Sequence, residues 1–486
     1  MTAGRQSSTR RRVIIIGAGP AGLAAADAAL RRAAAIVLID SAPRLGGQFW
    51  RHPSPTLDAD ESLQHNWSRF TDLRSSIRDN PAAEVITEGQ VWAIDREPGR
   101  RTPRIQLATG PVDGPGRELS SLTGDAVVLA TGAHDRTLPF PGWDLPGVVT
   151  GGAAQAIAKA DRISVGGRDR ARVVVAGAGP FLLPVATSLA AVGARVLGVY
   201  EAATIRRMSR GWLPRAPWLA GKSPELTGYL ARLARHRIPY HPGHAVLRAD
   251  GDDRVRRITI ARVDDDWRPV AGTERQLEVD AVCVSHGFTP RVELPIAAGC
   301  RLTPERFVQV DAGQRTSVDD VYAAGEITRI GGADAALVEG GIAGHLAAGG
   351  AINDAELGGL FAAKRRLDRL ADSVDDAHGI GTGWTDWLTD ETLICRCEEV
   401  TNGRVRSALE ATGSRGLRAV KLSTRAGLGP CQGRICGRTL EQLISAGGPL
   451  TDDAVIDRRP IATPIRFGEL ARLTDDQEID NQGSDQ

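Results

Sequence analysis

The chain is 486 residues long, 42% apolar and 24% charged, with 60 Lys and Arg against 59 Asp and Glu. That length is too great for one hydrophobic core and implies roughly two to four domains. A net charge of +1 speaks against a nucleic-acid surface, and no apolar run reaches the roughly 18 residues of a membrane span. Residues 1–11 are polar and expected to be mobile. Thr9-Arg-Arg-Arg12 before an apolar run imitates a signal peptide, but that run reads as a buried strand with a glycine turn, so the expected location is the cytoplasm.

Val13 to Ile16 read as a parallel strand, followed by Gly17-Ala18-Gly19-Pro20-Ala21-Gly22, an Ala-rich helix to about Leu30, and an apolar run Ala35–Ile39 ending in Asp40. Strand, GxGxxG turn, helix, strand and terminal acid are the parts of a dinucleotide site. Gly17 permits the tight turn, Gly19 lets a pyrophosphate approach the backbone, and Gly22 lets the helix pack close to the strand. The helix N-terminus offers free N–H groups to phosphates, and Asp40 can accept hydrogen bonds from ribose hydroxyls. In the stretch Ser41 to Gln48, Gly46 and Gly47 allow backbone to lie against a ligand and Gln48 supplies an amide. Residues 58–79 look helical, 85–94 and 104–107 read as short strands, and the Gly- and Pro-rich 98–123 reads as hairpin turns or loops. Asp125 to Ala133 is a further apolar strand ending in Ala130-Thr131-Gly132.

A strand ending in Ala-Thr-Gly resembles the second fingerprint of flavoproteins with two dinucleotide domains. Arg136–Gly142 and Leu145–Thr150 look like their crossover into the second domain. Ala171 to Pro180 then repeats the strand and glycine turn, with Gly177 and Gly179, and Ala194 to Tyr200 leads to Glu201. The third glycine position holds Leu182, whose bulk should push the helix away from the strand or tilt it. In this class the second domain normally binds a nicotinamide nucleotide, and Glu201 would favour NAD over NADP by repelling a 2′-phosphate. NAD, another adenine nucleotide and a structural relic all stay open. The region 204–245, with Trp212, Pro214, Pro217 and Trp218, reads as a partner-facing or lid segment or as an irregular loop packing its own aromatics. His286, beside the turn closing the second domain, reads as a satisfied loop histidine. Thr316 to Glu326 resembles the last flavin-binding motif, in which an acid after Ala-Gly bonds the ribityl chain; the usual Asp is here Glu326, after Gly325. Gly331 to Gly344 looks like a close-packed helix with its N-terminus at the flavin pyrimidine edge.

Residues 353–390 read as a charged helical connector. Of six cysteines, four crowd into the C-terminal quarter as Cys395-x-Cys397 and Cys431-x4-Cys436, with a helical pattern from Asn402 to Thr412 between them. Such clustering suits a metal site better than disulfides. Four thiolates are the ligand set of [2Fe–2S], whose sulfides loop glycines open to backbone N–H groups; zinc takes the same four ligands. The strings Cys395-Arg-Cys-Glu-Glu-Val-Thr401 and Thr424-Arg-Ala-Gly-Leu-Gly-Pro-Cys-Gln-Gly-Arg-Ile-Cys436 resemble the bacterioferritin-associated-ferredoxin-like [2Fe–2S] domain. The resemblance is to the version fused to the larger flavoprotein subunits of heteromeric amino-acid and opine dehydrogenases. That family includes the corresponding subunits of opine oxidase, hydrogen cyanide synthase and hydroxyproline dehydrogenase, and part of the sarcosine oxidase alpha subunit. Residues 459–470 also look like that family's tail.

The resemblance implies an α/β fold: two Rossmann-like dinucleotide-binding domains of glutathione-reductase-like type and a small C-terminal helical [2Fe–2S] domain. The expected divisions are an FAD domain of 12–145 plus 290–352, a second, NAD-like domain of 146–289, the connector 353–390, a [2Fe–2S] domain of 391–450 and a tail of 451–486. Gly17, Ala18, Gly19, Pro20, Ala21, Gly22, Asp40 and Ser41 would hold the ADP half of FAD. Gly46, Gly47 and Gln48 would lie along the flavin, Ala130, Thr131 and Gly132 beside it, and Gly325 and Glu326 at the ribityl chain. Gly177, Gly179 and Glu201 would serve the second nucleotide, and Cys395, Cys397, Cys431 and Cys436 the cluster. The implied partner is a D-amino-acid-oxidase-type flavoprotein beta subunit that oxidises an opine, proline, hydroxyproline, sarcosine or glycine-type substrate, with a small ferredoxin-like subunit as a further candidate. Cys283 and Cys300 form no CxxC, which disfavours disulfide reductase chemistry, and no separate catalytic constellation is needed if a flavin does the redox chemistry. The alternatives are a stand-alone NAD(P)H-dependent reductase feeding the cluster, and a scaffold that turns over nothing.

Overall fold

The computed structural model describes residues 10–53, 63–96, 99, 101–112, 114–213, 223–413, 416–445 and 461–472. The chain opens with β1 (Arg12–Ile16), α1 (Pro20–Arg31) and β2 (Ala35–Ile39), the two strands parallel with Val13 opposite Ile36. After α2 (Trp67–Arg78), β3 (Ala83–Ile86) extends this sheet beside β2. Residues 58–62 of the expected helical stretch lie outside the described residues. An antiparallel meander follows, β4 (Gly89–Asp95), β5 (Arg104–Thr109) and β6 (Glu118–Leu122). β7 (Ala126–Leu129) returns to the other side of β1, and β8 (Ala133–Asp135) leads away.

The second fold repeats the plan: β9 (Val148–Thr150), α3 (Gly151–Asp161), β10 (Arg172–Gly177), α4 (Leu182–Ala191), β11 (Arg195–Glu201), α5 (Ile205–Trp212), α6 (Ser223–Arg235) and β12 (Tyr240–Pro242). So 204–245 contains two helices rather than an irregular loop, while Pro214, Pro217 and Trp218 lie outside the described residues. A second meander, β13 (His244–Asp250), β14 (Arg257–Arg262) and β15 (Arg275–Glu278), precedes β16 (Ala281–Ser285), which inserts between β10 and β9, and β17 (Phe288–Pro290), which pairs with β8. The chain then passes through α7 (Glu293–Ala297) to β18 (Val321–Ala323), which completes the first sheet in the order β18-β7-β1-β2-β3. The other five-stranded sheet runs β12-β11-β10-β16-β9, and every pairing in both sheets is parallel. α8 (Gly332–Ala347) and α9 (Ala355–His378) follow. The cysteine module comprises β19 (Leu393–Cys395), β20 (Val400–Thr401), α10 (Asn402–Thr412), α11 (Leu417–Thr424) and α12 (Gly437–Ser445) around Ile394, Val405, Val420 and Leu440.

Parallel strands with helices on their faces must be apolar on both sides, as Val13 to Ile16 and Val173 to Ala176 are. Small residues set the helix spacing. A Cβ on Gly22 would lie 1.7 Å from the Gly17 carbonyl oxygen, so α1 can start at Pro20, directly after the turn. Leu182 carries that Cβ, and α4 starts only at Leu182, later relative to its own Gly179. The difference at this position is a later first turn rather than a shift or tilt, and Leu182 is buried with Val173 and Val175.

α8 lies across α1 with no room for a side chain between them: a Cβ on Gly340 would sit 2.0 Å from the Ala21 carbonyl oxygen, and one on Gly344 2.1 Å from that of Ala25. Gly344→Ala is therefore expected to lower stability by roughly 3 kcal/mol through forced helix separation. Gly358→Ala, in α9 with nothing within 4 Å of its added Cβ, should instead raise it by about 0.5–1 kcal/mol. Thermal unfolding of both variants beside the parent checks the pair; equal shifts would refute the close-packing account.

Candidate cofactor sites

A cleft opens at the carboxyl ends of β1, β2, β7 and β18, the edge at which open α/β sheets bind ligands. Gly17, Gly19, Pro20, Ala21, Asp40, Ser41, Gly47, Gln48, Ala130, Thr131, Gly132, Gly325 and Glu326 all line it. Ala18, Gly22 and Gly46 stand behind its wall. Ala18 N–H donates to Asp40 Oδ2 at 2.6 Å, Gly22 packs on Gly17, and Gly46 N–H donates to the Ala18 carbonyl at 2.8 Å. A Cβ on Gly47 would lie 2.8 Å from the Gly19 Cα, so this wall is bare backbone, as close approach of a diphosphate requires. Asp40 Oδ1 takes a second N–H, from Ala42 at 2.8 Å, while burial raises its pKa against these bonds. The carboxyl is partly exposed and faces the cleft.

Glu326 sits at the other end, against the N-terminus of α8. Burial pushes its carboxyl up to about 7; Asp135 and Glu339 add to the shift and the Gly332 N–H opposes it. Asp135 accepts from the Gly152 N–H at 2.5 Å and from Ser285 Oγ at 3.0 Å, and burial raises it as well. Glu339 anchors the preceding turn, accepting from the Gly325 N–H at 2.9 Å and Thr328 Oγ1 at 2.8 Å, with Lys364 Nζ at 3.1 Å. The cleft also has walls that the sequence pattern does not announce: Gln90, Arg291, Glu293, Arg434 and Thr463. These belong to no glycine motif and arrive by tertiary packing.

The second fold makes a different site. At Gly177 the two folds agree: a Cβ there would meet the Ser285 carbonyl oxygen at 1.7 Å, as one on Gly17 would meet that of Ala130 at 2.3 Å. Glu201 is 0% exposed. Its Oε2 accepts from the Gly179 N–H at 2.9 Å and its Oε1 from the Ala203 N–H at 3.0 Å. Tyr240 Oη lies 3.4 Å from Oε2, and His378 Nδ1, at the end of α9, also 3.4 Å away. Trp212 Nε1 donates to His378 Nε2 at 3.2 Å, which assigns the imidazole proton to Nδ1, facing Glu201. Burial, reinforced by Glu201, raises the Tyr240 hydroxyl. α5 is pressed on α9 so closely that a Cβ on Gly211 would lie 2.5 Å from the Ala377 amide nitrogen. Unlike Asp40, then, Glu201 presents no oxygen to a ligand.

His286 is buried, its Nδ1 facing the Leu138 N–H at 3.3 Å, and burial drives it down to about 3; it is a packed, neutral imidazole. Cys283 and Cys300 lie in separate cores, and burial raises both thiols.

In the cysteine module the thiols pair off. The Cys436 thiol donates to Cys395, and the Cys397 thiol to Cys431. The contact with Cys436 brings Cys395 down to about 6 against burial, assisted by the backbone N–H groups of Gly427, Glu398 and Cys397. Cys395 and Cys436 are buried, whereas Cys397 is exposed. Among the described residues no three His, Cys, Asp or Glu side chains converge as a single-ion site. Four neighbouring thiols with backbone N–H groups directed at Cys395 and Cys397 fit a [2Fe–2S] cluster. Gly429 makes the approach possible: a Cβ there would lie 2.3 Å from that of Cys397.

Two dinucleotide folds, a glycine-lined cleft and a four-thiol module define a flavoprotein of the reductase type with an appended iron–sulfur domain. Residues 11–340 match the pyridine nucleotide-disulphide oxidoreductase family, to which the chain belongs, and residues 393–446 match the BFD-like [2Fe-2S] binding domain. It is an oxidoreductase of FAD and [2Fe–2S] type. The chain is 32% identical over 482 residues to the HcnB subunit of hydrogen cyanide synthase from Pseudomonas aeruginosa, covering 95% of this chain and 98% of that one. It is 33% identical over 493 residues to an opine oxidase subunit from Rhizobium meliloti, again covering 95% and 98%. Both relatives are named as subunits of larger enzymes. The crystal structure of L-proline dehydrogenase from P. horikoshii shares the fold, with a TM-score of 0.62 at 21% identity over 96% of this chain and 80% of that one. No described helix is long and apolar enough to cross a membrane.

Because folding raises the Glu326 pKa from 4.5 to about 7, the folded chain binds the extra proton between those values. Stability is therefore lost as pH rises through that window and stays lower above it. In the FAD-free chain, Glu326→Gln is expected to unfold at a higher temperature than the parent at pH about 8, by roughly 1–3 kcal/mol, and to show little advantage near pH 5. A difference that does not change with pH would show that this carboxyl is not held neutral.

Proposed function

We propose that this chain is the flavoprotein and iron–sulfur subunit of a heteromeric amino-acid or amine dehydrogenase, working in the cytoplasm. A separate subunit of D-amino-acid-oxidase type oxidises an opine, proline, hydroxyproline, sarcosine or glycine-type substrate, and this chain passes the electrons on; a small ferredoxin-like subunit is a further candidate partner. The observation that carries this reading is the closure of Glu201. With both carboxylate oxygens committed and no exposed surface, Glu201 offers no ribose acceptor, which favours a partner subunit over a nicotinamide nucleotide as the electron source. The stand-alone reductase reading needs that site.

In this reading Gly17, Gly19, Gly22 and Asp40 shape the ADP half of the FAD site, with Ala18, Pro20, Ala21 and Ser41 completing the turn. Gly46, Gly47 and Gln48 border the flavin, and Ala130, Thr131 and Gly132 form the facing strand end. Glu326, held near neutrality, keeps a proton at its carboxyl over part of the neutral range and can donate as well as accept a hydrogen bond at the ribityl chain. The α8 N-terminus directs N–H groups where negative charge is favoured. Cys395, Cys397, Cys431 and Cys436 hold the cluster. Bound FAD takes up two electrons at once and a [2Fe–2S] cluster carries one, so their pairing converts two-electron oxidation into single-electron transfer.

An anaerobic NADH titration of the purified chain tests the reading. Flavin and cluster absorption are expected in the starting spectrum, with no bleaching by stoichiometric NADH. Rapid stoichiometric bleaching would overturn the reading and restore the reductase alternative.

A further inference from the structure

The loop bearing Cys431 and Cys436 reaches beyond the sulfur site. Arg434, between those two cysteines, lines the flavin cleft together with Thr131, Gly132 and Arg291. Its Nε lies 2.5 Å from Glu293 Oε1, and its Nη2 donates to the Ala462 carbonyl at 2.8 Å. Its own carbonyl is bonded by His134 Nε2 at 3.0 Å. Two distant chain segments thus fix the guanidinium at the edge of the cleft and a third holds its backbone, with only 19% of the side chain exposed.

The charge balance there gives the contact its meaning. Among the described residues, Arg291 and Arg434 are the basic side chains of the cleft, against Asp40, Glu293 and Glu326. The first turn of α1 carries no basic residue, so any cationic side chain that offsets the two negative charges of a diphosphate must come from elsewhere in the cleft. A guanidinium is the side chain best suited to share that load. Arg434 also keeps Glu293 paired: if the loop withdrew, the cleft would lose a cation and gain an unpaired carboxylate. We propose that Arg434 is an FAD-binding residue delivered by the cluster loop, so that loss of the [2Fe–2S] cluster, whose ligands Cys431 and Cys436 flank it, weakens FAD binding. The proposal rests on the reading of this cleft as the FAD site.

FAD affinity of the deflavinated full-length chain, measured by flavin fluorescence at several salt concentrations, tests it, with cluster absorption recorded in parallel. Arg434→Gln should bind FAD about tenfold more weakly, with a shallower salt dependence, and Arg434→Lys should recover part of the loss. Removing the cluster from the parent with a chelator should weaken FAD to a similar extent, and removing it from Arg434→Gln should add little. Parent-like FAD affinity in cluster-loaded Arg434→Gln overturns the proposal. So does equal weakening on cluster removal in parent and variant, which would locate the coupling elsewhere. Should Arg434→Gln fail to load a cluster, the depleted parent decides: unchanged FAD affinity there also overturns the proposal. Asp40→Ala separates the two levels. It should weaken FAD with the cluster present or absent, and parent-like binding in that variant sinks the assignment of the cleft itself.

Discussion

The approach of α8 to α1 is the constraint on which the rest of the molecule depends. Gly340 and Gly344 let one helix rest on the carbonyl oxygens of Ala21 and Ala25 in the other. These residues are separated in sequence by the whole second fold. Their contact brings the Gly17–Gly22 turn and the Gly325–Gly332 turn to one cleft. A Cβ on Gly325 would lie 2.8 Å from that of Ala21, so even the turn before α8 is spaced by the same rule. Backbone-on-backbone contact leaves little freedom to slide, because a methyl group added at Gly340 or Gly344 meets a peptide oxygen instead of a compliant side chain.

The two dinucleotide folds use one local code with opposite results. Both place a glycine turn after a central strand and an acid at the end of the next strand, and both acids accept two backbone N–H groups. Asp40 keeps an open side, whereas Glu201 meets Tyr240 and His378 there. The longer glutamate reaches its two N–H groups inside a fully closed site, and α9 ends against that site instead of leaving it to solvent. A buried carboxylate is tolerable because its oxygens have partners. The same satisfaction removes it from ligand chemistry.

What the sequence makes legible is chemistry written locally. The strand, glycine turn, helix and acid around Asp40, the Ala-Thr-Gly strand end, Glu326 and the two cysteine pairs all depend on neighbours within a few positions, and the structure brings each set together. Leu182 also signalled correctly that the second copy was altered, since only glycine allows α1's early start. Arg291, Glu293, Arg434 and Thr463 could not be read in this way. Each lies in an ordinary stretch and acquires its place at the cleft from long-range packing. The enclosure of Glu201 was hidden for the same reason: the residue that caps it, His378, lies at the end of a helix read only as a connector. The helices in 204–245 were obscured by Arg, Pro and Trp, of which Trp212 proves to be a partner of His378.

The second fold also serves as a mount. Trp267, after β14, stacks on Trp387 with ring centroids 6.1 Å apart and an interplanar angle of 8°, and Trp387 Nε1 donates to the Trp267 carbonyl at 2.9 Å. Trp143 Nε1 donates to the Leu393 carbonyl at 2.7 Å, two residues before Cys395, and the Arg396 guanidinium lies 5.1 Å from the Trp143 ring centroid. On the other side, residues 461–472 cross the β4–β6 meander, where Glu469 and Arg117 form a buried pair at 2.6 Å, and Arg434 reaches the same segment. The small module, with few core residues of its own, borrows its position from both folds. Aromatic stacking and buried hydrogen bonds hold it more rigidly than a tether would. Electron transfer between two centres depends on a fixed separation, and the contacts of the second fold with the cysteine module give that fold a physical role whatever it binds.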